Sequence, residues 1–580
     1  MFISIPATRM RQNDTADSNL CTGAPRFADS ALQRIAAREG PVSAWTRALA
    51  QAASPAQAAA GAAGDFAVAL REPSGRGFLA VDRFGMRTLC YRIDRGELRF
   101  AERADVLADP GHPLDPQSLF DYLYFHCIPS PRTIFRGIFR LPPGHCALFE
   151  NGQLSVAPYW VPAFDESRRG DFGALRDEFR GLLRDAVARQ LGSGKPACFL
   201  SGGTDSSTVS GMIGQVAGRP AATYSIGFEA EGYDEMQFAR IAARHFGTEH
   251  HEYYVTPDDL VHSIGAVARH LDQPFGNSSA LPAYYCAKMA REDGVTHILA
   301  GDGGDELFGG NSRYAMQRIF GAYHQLPAAL RRGLIEPVLR RAPGNGTALL
   351  RRGASYVRQA RTPMPDRMQN YNLLLRLGVD EVLTPEIAAQ IDRDAPLGQQ
   401  REVWAATDAP SELNRTLAYD WRYTLAESDL PKVNMSSQLA GLSVGYPMLD
   451  QALVDFSLRL PVAYKLRGLK LRWFFKEALR GFLPDEILAK KKQGFGLPFG
   501  VWVTRHVGLK RLATDSLASL GKRGIVREEF MRSLLTQRLP EHPGYYGEMV
   551  WILMMLEQWL QGHRSTPGVG TWKTAAVPTV

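Results

Sequence analysis

The residues best suited to chemistry form one short stretch, Ser201-Gly202-Gly203-Thr204-Asp205-Ser206-Ser207. An apolar run, 197–200, precedes it and a helix-compatible run, 208–216, follows it, which predicts a strand, a tight loop and the start of a helix. Glycines let backbone N–H groups approach an anion, and a helix N-terminus adds partial positive charge. An ordinary Ser/Gly turn is the simpler alternative. The complete stretch after a buried strand favours phosphate binding, although the Gly-Lys-Ser/Thr ending of a Walker A loop is missing.

A second candidate stretch is Gly301-Asp302-Gly303-Gly304-Asp305-Glu306-Leu307-Phe308-Gly309-Gly310, after a predicted strand at 297–300. Three acids within five residues repel one another unless a cation or hydrogen-bond donors lie beside them. Mg²⁺ prefers carboxylates together with phosphate oxygens, so Asp205 and Asp305 are candidate Mg²⁺ ligands across one cleft. A Gly/Asp surface turn is the alternative, and the presence of both stretches in one chain argues against it.

The first stretch resembles the pyrophosphate-binding loop of the ATP pyrophosphatases, which split ATP into AMP and pyrophosphate, and the second resembles a motif of one family within that group. Within that group the chain resembles the asparagine synthetase family, whose relatives include β-lactam synthetases and lasso-peptide cyclases. Two further stretches carry the resemblance, Asp429-Leu430-Pro431-Lys432-Val433 and Lys490-Lys491-Lys492-Gln493-Gly494-Phe495-Gly496. Altogether the resemblance covers most of residues 60 to 505.

The resemblance implies ATP and Mg²⁺ as cofactors, with Asp205 and Asp305 as the metal ligands. It implies catalytic roles for Asp302, Lys432 and Lys492, the last beside the reacting phosphate. Three successive lysines are otherwise typical of a solvated face, and we expect Lys490 and Lys491 to be surface residues. The resemblance places ATP against Phe199, Leu200, Ser201, Gly202, Gly203, Asp205, Ser206, Ser207, Ile226, Gly227, Ala300 and Gly301.

The elements that position these residues alternate between strands and helices. Strands are predicted at 197–200, 222–228, 250–255 and 297–300, with helices at 208–216, 234–246 and 278–290. This order predicts an α/β domain with a doubly wound parallel sheet and ligands at the carboxyl ends of its strands. The resemblance implies an adenine nucleotide α-hydrolase-like fold over 173–563. We expect the Pro/Gly/Thr-rich tail, 564–580, to be disordered.

Residues 1–163 predict a separate β-rich, layered α+β domain, with short strands at 64–70, 77–81 and 87–91. They resemble the glutaminase domain of glutamine-dependent asparagine synthetases. In that domain the nucleophile is a cysteine directly after the initiator Met, whereas this chain has Phe2, and the family's Asn-Gly-Glu stretch is absent between residues 1 and 64. Cys21 would become N-terminal only by cleavage after Leu20, for which the sequence gives no argument. We expect a degenerate class II glutamine amidotransferase-like domain without glutaminase activity.

Composition limits the partners and the location. The net charge of +7 is spread over 580 residues. This mild positive excess suits ATP binding but does not indicate nucleic-acid binding. Six cysteines without CxxC spacing predict free thiols in a reducing compartment. The sequence contains no run of 18 apolar residues, so we predict no membrane span and expect a cytoplasmic location. The sequence neither predicts nor excludes a homodimer.

The predicted function is an ATP-dependent ligase, AMP-forming, that adenylates a carboxylate and joins it to ammonia or an amine. The carboxylate belongs to a small molecule, a peptide or a sugar. Met435, Ser443 and Gly445 replace charged residues of the family motif, which predicts that free aspartate is a poor substrate. The alternatives are a glutamine-hydrolysing asparagine synthase proper and a non-catalytic ATP-binding scaffold. A third alternative, transfer to RNA, would require a catalytic cysteine pair, which the sequence does not show.

Overall fold

The computed structural model describes residues 19–167, 170–230, 232–337, 348–491, 494 and 496–563. The strands are β1 Leu20–Gly23, β2 Arg26–Phe27, β3 Ala62–Ala63, β4 Phe66–Arg71, β5 Gly77–Val81, β6 Cys90–Asp94, β7 Glu97–Ala101, β8 Phe139–Arg140, β9 His145–Glu150, β10 Gln153–Pro158, β11 Ala197–Phe199, β12 Ala222–Phe228, β13 Glu249–Val255, β14 His297–Leu299, β15 Ser443–Gly445, β16 Leu466–Arg467 and β17 Lys470–Leu471. The longer helices are Ser30–Glu39, Pro41–Gln51, Pro116–Phe125, Phe172–Gln190, Thr204–Ala217, Met236–Phe246, Pro257–His270, Ala280–Glu292, Ser312–Gln325, Ala348–Arg361, Ala395–Ala406, Glu412–Asp420, Leu430–Ala440, Gln451–Leu458, Val507–Gly521 and Pro543–Gly562, with a π-helix at Trp421–Asp429.

The first part of the chain is built on an antiparallel sheet in the order β1-β4-β5-β9-β10. Successive strand residues point to opposite faces, so Phe66, Val68 and Leu70 of β4 pack in one apolar cluster and Ala67 and Ala69 in another. The first cluster also takes in the helices Ser30–Glu39 and Pro41–Gln51. The predicted layered α+β arrangement is observed.

One predicted strand of this part begins later than expected. Sequence analysis predicts it at 87–91, but β6 begins at Cys90. The backbone N–H groups of Met86 and Arg87 each donate to the buried Asp82 carboxylate at 3.0 Å, which commits this stretch to a turn.

The second part contains a fully parallel sheet in the order β13-β12-β11-β14-β15. The strand order reverses between β11 and β14, and ligands of such sheets bind outside the strand ends at this switch point. The predicted strand at 222–228 coincides with β12. The predicted helix at 208–216 in fact begins at Thr204, because Gly203 is extended and serves as its N-cap. The last four residues of the Ser201–Ser207 stretch are therefore its first helical turn.

Both parts of the chain share a core. The helix Pro116–Phe125 lies in the same apolar cluster as the helix Pro543–Gly562, and the Tyr122 hydroxyl donates to the carbonyl of Ile552 at 2.8 Å. Nearer the parallel sheet, Phe84 packs on Trp421 with ring centroids 5.7 Å apart. Since Trp421 Nε1 donates to the backbone oxygen of Glu306 at 2.9 Å, the first part of the chain packs against the support of the acidic stretch.

The described helices and the cysteines agree with two further expectations. Across the described ranges, no helix combines the length and the apolarity that crossing a bilayer requires. All six cysteines lie within those ranges, and all are free thiols. Three expectations, those for Phe2, Lys492 and the tail 564–580, lie outside the described residues.

Lys465 gives a pH-dependent stability that can be measured. Its ammonium is fully buried and donates to Asn414 Oδ1 at 2.9 Å. Burial lowers the pKa of Lys465 from 10.5 to about 7, with the nearby charge of Glu166 opposing the shift. Between these two values the unfolded chain binds more protons than the native one, so the free energy of unfolding rises with pH.

We expect Lys465→Met to remove this rise, because methionine has no proton to release. Urea unfolding at several pH values between about 7 and 10.5 measures the slope. Lys288→Met, at a half-exposed position, is the control and should keep the wild-type slope. An unchanged slope in Lys465→Met would show that Lys465 remains protonated in the native protein.

Candidate active site

A cavity of about 1210 Å³ opens at the switch point of the parallel sheet. It exceeds the roughly 300–1,000 Å³ typical of small-molecule sites and leaves room for a nucleotide and a second substrate. Of the predicted nucleotide-binding, metal-binding and catalytic residues, those that line it are Phe199, Leu200, Ser201, Gly203, Asp205, Ser206, Ile226, Gly301, Asp302, Asp305 and Lys432.

Four of the candidate nucleotide residues do not line this cavity. Ser207 and Ala300 are buried in the core around the strands. A Cβ at Gly227 would lie 2.6 Å from the Tyr254 ring, and a Cβ at Gly202 would lie 2.5 Å from the backbone carbon of Phe238. These four residues therefore pack beneath the loop and the sheet edge and do not face the cavity.

The Ser201–Ser207 stretch is closed on itself by hydrogen bonds. Gly202 has a φ of 69°, which favours glycine, and turns the chain toward the helix Thr204–Ala217. Ser206 Oγ lies 3.1 Å from the backbone nitrogen of Ser201 and 3.1 Å from its hydroxyl. The helix N-terminus therefore faces the cavity behind a fixed loop, an arrangement that suits a phosphate group.

Asp205 and Asp305, from the two candidate stretches, converge on one guanidinium. Arg472 Nη1 donates to Asp205 Oδ2 at 2.8 Å and to Asp305 Oδ1 at 2.7 Å. Glycines make room for this group: a Cβ at Gly304 would overlap Asp205, and a Cβ at Gly310 would overlap Asp305. Two carboxylates that share one positive group are also suited to a divalent cation, so these residues fit Mg²⁺.

Sequence reasoning missed Arg472. It lies 267 residues from Asp205 in the chain and in no stretch that resembles a motif. A single arginine after a short hairpin carries no local signal, so only the tertiary structure brings it to the site.

A second charged group contains two predicted catalytic residues, Asp302 and Lys432. Lys432 Nζ donates to Asp429 Oδ1 at 2.8 Å. Burial alone would lower the pKa of Lys432, but the charges of Asp429, Asp302 and Glu306 together raise it above its ordinary value. Burial raises the pKa of Asp302 to about 6, and Lys432 opposes that shift. At neutral pH Lys432 is therefore charged, and Asp302 is largely ionised and able to accept a proton.

Lys490 is not a surface residue, so that expectation was wrong. Its side chain is only 9% exposed and its Nζ lies 2.9 Å from Glu235 Oε1. The same nitrogen lies 3.4 Å from the carbonyl oxygen of Gly202 and 4.7 Å from the centre of the Phe238 ring. Lys490 therefore contacts the glycine loop from the start of the lysine run, whereas Lys491 is exposed.

We expect Lys490→Ala to weaken ATP binding by about tenfold, because it leaves the buried Glu235 carboxylate unpaired beside the phosphate loop. Isothermal titration of ATP into each variant measures the effect. Lys510→Ala removes the same charge from an exposed position of the helix Val507–Gly521, outside the cavity lining, and should bind ATP like the wild type. Equal affinities in both variants would assign Lys490 to the fold alone.

The positions that differ from the family motif lie away from the cavity. Met435, Ser443 and Gly445 are absent from its lining. Ser443 begins β15 and hydrogen-bonds to His297, and Gly445 packs against Leu299 within the sheet. These changes therefore remove no charge from the cavity wall, and a poor use of free aspartate stays a prediction without structural support.

None of the cysteines resembles an activated nucleophile. Burial raises the pKa of all six thiols above the ordinary value. Cys21, the most accessible, has a pKa of about 11 and pairs with Val68 inside the antiparallel sheet. A thiolate is the reactive form, so these thiols are unreactive at neutral pH.

Comparisons with known proteins agree with this site. A glutamine amidotransferase domain model matches residues 49–160. The chain is 26% identical over 435 residues to asparagine synthetase (glutamine-hydrolyzing) 1 of Bacillus subtilis, which covers 74% of this chain and 66% of the relative. It is 24% identical over 440 residues to asparagine synthetase (glutamine-hydrolyzing) 3 of the same organism, covering 72% and 64%. Amidase chyE of Penicillium rubens is 23% identical over 513 residues, covering 79% and 73%. The chain thus spans about two-thirds of the length of these two synthetases.

The second part of the chain gives the decisive match. The asparagine synthase model covers residues 178–561, which contain the parallel sheet, the glycine loop and both charged groups. The chain therefore belongs to the asparagine synthase family.

Proposed function

We propose that this protein is an ATP-dependent carbon–nitrogen ligase that releases AMP and pyrophosphate. The observation that carries the proposal is the convergence of the Ser201–Ser207 loop and the Asp205/Asp305 pair on one cavity, with Lys432 and Asp302 in its wall. Family membership supports it. The proposed domain boundaries are 1–163 and 173–563.

In the first step, a carboxylate oxygen of the substrate attacks the α-phosphorus of ATP, and the bond from that phosphorus to the bridging oxygen breaks. The products are an acyl-adenylate and pyrophosphate. The glycine loop and the helix N-terminus bind the leaving pyrophosphate. Asp205 and Asp305 would hold Mg²⁺, which would supply positive charge beside the phosphates.

In the second step, ammonia or an amine attacks the acyl carbon, and AMP leaves with the electron pair of the broken C–O bond. We assign to Asp302, in the cavity wall, the role of accepting the proton that the nitrogen loses. Lys432, held by Asp429 at 2.8 Å, supplies positive charge beside it. The carboxylate substrate is a small molecule, a peptide or a sugar acid.

The nucleotide products test this proposal. Phosphorus NMR of the full chain with ATP, Mg²⁺ and ammonia, over a panel of amino acids, short peptides and uronic acids, should show AMP and pyrophosphate in equal amounts for an active carboxylate. ADP and phosphate would contradict the mechanism. No turnover with any member, together with tight ATP binding, would favour a non-catalytic ATP-binding scaffold.

We further propose that the nitrogen does not come from glutamine hydrolysed by this chain. With no activated thiol and no Asn-Gly-Glu stretch before residue 64, glutamine and ATP should release no glutamate above a blank. Phe2→Cys alone should not create the activity. Glutamate release that Cys21→Ala abolishes would instead indicate a glutamine-hydrolysing asparagine synthase.

A further inference from the structure

Arg472 lines the cavity and is packed closely by its neighbours. It directly follows β17, has a φ of 53°, and its side chain is only 5% exposed. Its backbone N–H donates to the carbonyl of Gly309 at 3.2 Å, and its guanidinium carbon lies 4.1 Å from the centre of the Phe475 ring. A buried arginine in the left-handed region is strained, so its position requires support from its surroundings.

The guanidinium occupies the space between the two proposed metal ligands. Nη1 lies 2.7 Å from Thr204 Oγ1, 2.8 Å from Asp205 and 2.7 Å from Asp305, and Nη2 also contacts Asp205. Mg²⁺ needs carboxylate oxygens at about 2.0–2.1 Å and excludes other atoms from its coordination shell. The guanidinium in this position and a bridging cation therefore compete for the same oxygens.

Arg472 has one donor that its present partners do not use. Within the described part of the chain, its Nε is buried and has no hydrogen-bond acceptor. A buried donor without a partner is unfavourable, so an acceptor is expected in some state of the protein. Since Arg472 lines the cavity beside the glycine loop, phosphate oxygens are the matching acceptors, and arginine binds them with several donors at once.

We propose that Arg472 exchanges partners during nucleotide binding. In the free protein it neutralises Asp205 and Asp305. When ATP and the cation bind, the carboxylates take the cation and the guanidinium donates to phosphate oxygens. This makes the binding of cation and nucleotide cooperative, with Arg472 as the residue that couples them. The inference rests on the proposed function for ATP and Mg²⁺ binding, but not on turnover.

Mn²⁺ titrations of the full chain, followed by electron paramagnetic resonance with and without ATP, test the exchange. Wild-type protein should bind Mn²⁺ weakly alone and tightly with ATP. Arg472→Gln should bind Mn²⁺ about tenfold more tightly without ATP, because the competing charge is gone, and should show less coupling to ATP. Arg467→Gln, an exposed arginine on the same hairpin that stacks 4.5 Å over Trp473, is the matched control.

Arg472→Lys separates the two roles. It keeps the positive charge, so Mn²⁺ binding without ATP should stay weak, but it loses the planar fork, so ATP affinity should fall. Thermal melts report the folding of each variant. Equal Mn²⁺ affinities in wild type and Arg472→Gln would overturn the exchange alone, whereas wild-type protein that bound neither ATP nor Mn²⁺ would overturn the proposed function as well.

Discussion

Asp205→Asn is expected to lower the rate of pyrophosphate release by about a thousandfold, because the loss of metal-based charge stabilisation costs roughly 4 kcal/mol. An asparagine keeps the size of the side chain and removes one charge from the pair shared with Asp305. It also leaves Arg472 with one carboxylate instead of two. A coupled assay for pyrophosphate, at saturating ATP and with an active carboxylate, measures the change.

The control for Asp205→Asn is a variant that loses the same charge elsewhere. Asp177→Asn, at an exposed position of the helix Phe172–Gln190, should leave the rate unchanged. Thermal melts exclude unfolding as the cause. A rate for Asp205→Asn within about threefold of the wild type would remove Asp205 from the metal site and return its role to the pairing with Arg472.

The second large effect is expected at Lys492. The family motif implies that this lysine contributes positive charge where the transition state builds negative charge, which is worth about 3 kcal/mol or about a hundredfold in rate. Single-turnover amide formation by Lys492→Ala should show this loss while ATP still binds. Lys510→Ala, at an exposed position of the helix Val507–Gly521 outside the cavity lining, is the matched control. Equal, small losses in both variants would assign Lys492 to solvated surface.

Much of the fold follows from local patterns in the sequence. The strand β12 has the predicted bounds, because its apolar run and flanking turn residues mark it without help from the rest of the chain. The approach of Asp205 to Asp305 was also predicted, since parallel strands place the loops after β11 and β14 at one edge.

The rest depends on contacts between distant residues. Neither the bridge from Arg472 to both aspartates nor the ion pair of Lys490 with Glu235 has a local pattern. The run's charge alone predicted a surface position for Lys490 and Lys491, but Lys490 has an acid and an aromatic ring as neighbours across the cleft. Tertiary pairing can therefore bury a residue that composition assigns to solvent.

The apolar cluster common to the helices Pro116–Phe125 and Pro543–Gly562 bears on how this protein can be divided. A cut near residues 163–173 would separate two stretches of chain but would expose the inner surfaces of one core on both products. Each fragment would then present a broad apolar face to water and aggregate unless it met the other during folding. The first part of the chain therefore contributes apolar side chains to a core that the second part needs, independently of any reaction of its own.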